Sequence, residues 1–137
     1  MKYCILRDKY IDTEYGRLYR IQALIDFGDV KKGEVGGYIQ HSKNLAQCGN
    51  CWVHNNAQVY DEAVVYGDAQ VYGNAKVYDE ASIINNAQVY GDAKVYGCVY
   101  IRGNAQKYDD AKMYGCAYEG SDTQAPKHTR TLKYKTT

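Results

Sequence analysis

Between residues 48 and 119 apolar side chains recur with a period of six. The first position of the hexad is Val or Ile nine times in succession: Val53, Val59, Val65, Val71, Val77, Ile83, Val89, Val95 and Ile101. Two residues before each stands a small residue, in the series that runs from Cys51 and Ala57 to Ala117. Residues two apart on a strand share a face, so both sets point inward. The third position is Gly, Asn or Asp in all twelve hexads, from Gly49 to Gly115. These residues tolerate a left-handed backbone, which a corner in every hexad requires. The pattern predicts short strands that turn sharply, and it argues against helix.

The hexads group in threes. Residues 60–77 and 78–95 are identical at twelve of eighteen positions, and residues 96–113 continue the frame. Four such three-hexad coils fit between Cys48 and Glu119 without insertion or deletion. In this respect the chain resembles the hexapeptide-repeat family, and the resemblance implies a left-handed parallel β-helix of triangular section. The fold class expected is therefore all-β: a left-handed parallel β-helix of about four coils with an N-terminal β-hairpin cap. A narrower likeness lies in residues 26–39, Asp26-Phe27-Gly28-Asp29 through Gly36-Gly37-Tyr38-Ile39, read with Gly49-Asn50-Cys51-Trp52-Val53. It is similar to phage and prophage hexapeptide-repeat proteins of poorly defined function.

Residues 1–41 lie outside the repeat. Tyr3–Ile11 and Leu18–Phe27 read as two strands around a turn at Glu14-Tyr15-Gly16. An open β-helix end exposes apolar side chains and unpaired backbone, so this hairpin and the Gly-rich segment after it are expected to cap the first coil. The organisation expected is a cap over 1–41, a β-helix over 42–126 and a basic tail over 127–137. Lys107 and Glu119 fall at inward positions, which predicts a frayed or hydrated last coil.

Composition fits this picture. Tyr occurs 16 times and Gly 13 times, against one Phe, one Trp and one Pro. That mix favours strands and tight turns. The formal net charge of +1 sets up no global field for nucleic acid or membrane. No apolar run approaches the ~18 residues of a membrane span, and the short apolar start predicts a cytoplasmic chain, the host cytoplasm if phage-encoded. Five cysteines in such a compartment default to free thiols, although Cys98 and Cys116 stack one coil apart in the frame at a separation compatible with a disulfide.

The second and sixth hexad positions face outward and form three faces. The first carries Gln58/Tyr60, Lys76/Tyr78, Lys94/Tyr96 and Lys112/Tyr114. The third carries Trp52/His54, Gln70/Tyr72, Gln88/Tyr90 and Gln106/Tyr108. The second is more apolar, with Val64, Tyr66, Ile84, Tyr100 and Tyr118, and is the expected oligomer interface. Aligned columns stabilise a sheet by roughly 0.2–1 kcal/mol per pair. They also form a surface for a protein, a glycan or bases, nucleic acid being disfavoured by its few charges.

Candidate chemistry is sparse. Cys48 and Cys51 match a C-x-x-C spacing but should point in opposite directions, and no second pair completes a zinc site. Asp61, Glu62, Asp79 and Glu80 gather at one corner of two coils, the candidate cation site. His54 is the candidate base for an acyl transferase of this fold. No cofactor is expected. The function expected is a non-enzymatic binding or scaffold protein that presents Tyr/Lys and Tyr/Gln ladders to a protein partner. The phage likeness implies an inhibitor of a host defence protein. The alternatives are an acyl transferase at a trimer interface, or a glycan-binding module.

Overall fold

The computed structural model describes residues 1–115 and the strand Tyr118–Glu119 of the 137-residue chain. Two-residue strands stack in parallel, one coil period apart, to form a three-sided β-solenoid of about four turns. Face 1 stacks Gln58–Val59, Lys76–Val77, Lys94–Val95 and Lys112–Met113. Face 2 stacks Val64–Val65, Ser82–Ile83, Tyr100–Ile101 and Tyr118–Glu119. Face 3 stacks Trp52–Val53, Gln70–Val71, Gln88–Val89 and Gln106–Lys107. The Val and Ala columns fill the interior and are fully or almost fully buried.

The corners are where the hexad pattern places them. All twelve third-position residues have positive φ, from 56° at Asn55 to 82° at Gly115. At four of the five Asn or Asp corners the side chain does a second job. Asn55 Oδ1 accepts Gly73 N–H, Asp61 Oδ2 accepts Asp79 N–H, Asp79 Oδ2 accepts Gly97 N–H, and Asn85 Oδ1 accepts Gly103 N–H, at 2.9–3.3 Å. These four corner side chains thus tie their coils to the next.

The N-terminal region forms β1 (Tyr3–Thr13), β2 (Gly16–Ala23) and β3 (Val35–Ile39). β1 and β2 make the expected hairpin, though β2 ends at Ala23, short of the Phe27 expected from the sequence. β3 replaces the loop expected there. It pairs antiparallel with β2 and parallel with Gln58–Val59, so the cap is an extension of face 1. Its register sets Tyr38 against Gln58, a longer step than the coil period, and Leu45 bridges Val65 at the same longer step. The extra chain accommodates the 3-10 turn Ser42–Asn44. The solenoid therefore begins with an irregular rung before residue 42. β3 lies so close to coil one that Gly36 and Gly37 have no room for a side chain. A Cβ on Gly36 would sit 2.5 Å from Val53 O, and one on Gly37 2.7 Å from Ala57 O.

In this solenoid many backbone N–H groups donate to a carbonyl one coil onward, as His54 N does to Val71 O at 2.7 Å. The carbonyls of coil one consequently face a rim with no preceding coil, and buried carbonyls must find donors. The cap supplies them. Lys2 Nζ donates to Cys51 O (2.8 Å) and Gly49 O (3.2 Å). Arg20 reaches Asn55 O (2.6 Å), and Tyr38 N reaches Ala57 O (2.9 Å). Asn44 Nδ2 serves both Asp61 O and Ala63 O, and Ala46 N serves Val65 O. At the other end, Lys107 is fully buried at its inward position and is engaged within the protein. The rung Gln106–Lys107 pairs with Gln88–Val89, and the side chain of Glu119 lies outside the described residues.

Candidate binding surface

Two aromatic columns climb the solenoid. On face 1, Tyr60, Tyr78, Tyr96 and Tyr114 stack with centroids 5.0–5.4 Å apart and planes within 11° of parallel. Tyr15, at the hairpin tip, continues the stack over Tyr60 at 5.4 Å. On face 3, Tyr72, Tyr90 and Tyr108 stack at 4.9 and 5.4 Å. His54 closes that column with an edge contact to Tyr72 at 5.7 Å. Both ladders thus end on a residue near the cap.

The spacing determines how the rings are presented. Carbon surfaces in contact stand about 3.5 Å apart, so a 5.4 Å centroid gap along the column holds each ring normal within about 50° of the column axis. A ring lying flat on the face would need its normal at right angles to that axis. The aromatic faces are therefore turned toward one another, and solvent meets ring edges and hydroxyls. Burial raises the pKa of Tyr72, and the neighbouring Tyr90 adds to it. Tyr78 is pushed up to about 12, chiefly by burial and then by Tyr96.

Beside the face 3 ladder runs the amide column. Tyr72 OH donates to Gln88 Oε1 at 3.3 Å. Gln70 Oε1 lies 2.6 Å from His54 Nε2, while Gln70 Nε2 donates to Asn50 O (2.8 Å) and Asp68 O (3.2 Å). These residues line a cleft of about 360 Å³ under the turn at Gly28–Val30. On face 1 the half-buried Lys76 and Lys94 and the exposed Lys112 form the parallel cationic column.

Several site expectations need correction. Trp52 is fully buried and belongs to the core, not to a binding surface. It stands on the first rung of face 3, which has no strand before it, and Tyr3 and Phe27 cover it with edge contacts at 6.1 and 5.2 Å. Tyr60 is 3% exposed because Tyr15 lies over it. Ile84 is 8% exposed, while Tyr66 and Tyr100 of the same face are joined by a side-chain hydrogen bond that raises the Tyr66 pKa. Val64, Tyr66 and Tyr100 keep some exposure there, and Tyr118 lies outside the described side chains. The hairpin extends face 1 rather than face 2.

The acidic corner serves the fold. Asp61 and Asp79 accept backbone N–H groups, and Glu62 pairs with Lys43, which lowers its pKa. Among the described residues no three acidic, His or Cys side chains converge as metal ligands. Cys51 is buried and Cys48 exposed, the opposed orientation that the frame implied. Cys98 is disulfide-bonded, where a free thiol was expected, and Cys116 lies outside the described residues. His41 lines the acidic corner and His54 the face 3 cleft, so the two do not meet. No helix among the described residues is long and apolar enough to cross a membrane.

No protein-family model matches the chain. Over 54 residues it is 43% identical to a protein of Escherichia coli (strain K12) named "Uncharacterized acetyltransferase YdcK". That match covers 39% of this chain, which spans only 17% of the length of that protein. The three-hexad coil and this partial likeness support a hexapeptide-repeat β-helix.

Proposed function

We propose that this protein is a non-enzymatic scaffold that docks a protein partner on its Tyr/Gln face. The observation that carries this reading is the ladder Tyr72–Tyr90–Tyr108 with its amide column, half-buried and uncharged. Ring edges, hydroxyls and amides form a comb of donors and acceptors suited to polypeptide. Tyr is enriched in protein interfaces because it contributes large contact area with few torsions to order. The stacking has already fixed those torsions, so docking costs little further entropy. A glycan or a base would need ring faces, which the columns turn inward on themselves.

Replacing Tyr72, Tyr90 and Tyr108 with Ser tests this. The variant should keep its far-ultraviolet circular dichroism and the emission of buried Trp52 while losing partner capture from host lysate. Unfolding of the variant, or unchanged capture, refutes the reading.

A second reading is acyl transfer with His54 as base. It is supported by the position of His54 in the face 3 cleft and by the partial likeness to a protein named as an acetyltransferase. Release of free thiol from acetyl-CoA in the presence of small amines, lost in His54→Gln, is the outcome expected under this reading. Absence of turnover ends it.

A further inference from the structure

In the face 3 cleft the proton positions of His54 and Gln70 follow from their partners. Gln70 Nε2 sits within 3.2 Å of two backbone carbonyls, Asn50 O and Asp68 O. Only an amide NH₂ can face two carbonyl oxygens, so the Gln70 oxygen is the atom turned toward His54. His54 Nε2, 2.6 Å from that oxygen, must then carry a proton. In neutral His54 this leaves Nδ1 as the bare nitrogen, an acceptor.

Among the other lining groups, several oxygens are already engaged or have lost their hydrogen. Asn55 Oδ1 is engaged by Gly73 N–H, and both Gln70 Nε2 hydrogens are engaged by backbone carbonyls. Tyr72 has donated its hydroxyl hydrogen to Gln88, which leaves its oxygen lone pair. Asp29, in the exposed turn that roofs the cleft, presents a carboxylate with no partner among the described residues. With His54 unprotonated on Nδ1, the cleft offers an imidazole acceptor, a phenolic acceptor and one full negative charge. A primary ammonium matches that set: three donors and one positive charge.

We propose that this cleft binds a small primary amine, with Asp29 taking its charge and His54 Nδ1 one of its N–H hydrogens. Gln70 is a positioning residue, since it acts by fixing the His54 tautomer. The site does not depend on the ladder reading and requires no transfer chemistry.

The test is ¹H–¹⁵N correlation of the imidazole nitrogens in the full chain, with His54→Gln identifying the resonances. Ethanolamine is the probe and N-acetylethanolamine the control. The free protein should show His54 protonated on Nε2 and bare on Nδ1. Ethanolamine should shift Nδ1 saturably, and N-acetylethanolamine should not. Asp29→Asn, at an exposed turn, should keep the Trp52 emission and weaken ethanolamine binding by about tenfold or more, the scale of a charge-assisted hydrogen bond. A free protein with the proton on Nδ1 overturns the proposal. So does the lack of a saturable shift, an equal response to the acetylated control, or unchanged affinity in Asp29→Asn.

Discussion

Replacement of Asn44 by Ala is expected to be among the costliest single polar changes in the cap. Asn44 is fully buried. Its Oδ1 accepts the N–H groups of Gln40 (3.0 Å) and His41 (2.6 Å). Its Nδ2 donates to Asp61 O (3.2 Å) and Ala63 O (2.7 Å). Ala would strand all four backbone groups. The Ala63 carbonyl is in the buried contact and should cost about 2 kcal/mol. The other three are partly accessible and should cost about 0.5–1 kcal/mol each after rehydration. The expected loss is about 4 kcal/mol, read by urea unfolding followed through Trp52, the sole tryptophan. With a urea slope of about 2 kcal/mol per molar, the midpoint should fall by roughly 2 M. Asn44→Asp should not rescue it, because a carboxylate cannot donate to Asp61 O or Ala63 O. A loss below about 1 kcal/mol in Asn44→Ala would refute the view that the cap works by supplying donors to the rim of coil one.

Two further outcomes are expected. Asp79→Asn should hold the thermal midpoint within the equivalent of about 0.5 kcal/mol, because Asn keeps the acceptor for Gly97 N–H and tolerates φ 60°. Asp79→Ala loses both and should cost about 1–2 kcal/mol, and added calcium should move neither variant. In alkaline solution Tyr78 keeps its proton in the fold up to about pH 12. The unfolded chain releases it near pH 10. Its stabilising contribution is thus complete below about pH 10 and declines as pH rises from there toward 12. The thermal midpoint should fall across that window, with phenolate absorbance rising as the fold melts. A flat profile would contradict the burial of the column.

What the sequence made legible was whatever repeats. The inward Val and Ala columns, the twelve corners and the Tyr ladders all follow from a frame of six and eighteen. What escaped is local and occurs once. Trp52 obeys the outward rule in the frame, yet it stands on the first rung, where position in the array outweighs position in the hexad. Tyr60 is covered for the same reason, by Tyr15 from a segment with no periodic link to it. β3 was hidden because its register to coil one, Tyr38 against Gln58, overshoots the coil period. Asn44 and Lys2 left no periodic trace, although an unpaired carbonyl rim demanded donors from somewhere. The tautomer of His54 needed three-dimensional neighbours, since Gln70 reaches it from the next coil. The doubled role of Asn and Asp at the corners was accessible in principle, because only those corner residues carry an acceptor side chain.

The backbone N–H groups that reach onward from coil to coil, and the capped rim they leave behind, give the molecule a polarity like that of a zipper with a welded starting stop. The carbonyls at one terminus of the stack are sealed by the Lys2, Arg20 and Asn44 side chains and by the Tyr38 and Ala46 N–H groups. Adding or removing a whole coil in the middle leaves that seal untouched, so coil number can change by duplication without redesign of the cap. Loosening should accordingly be directional: amide exchange protection is expected to be highest beside Asn44 and Lys2 and to decline coil by coil toward the far end.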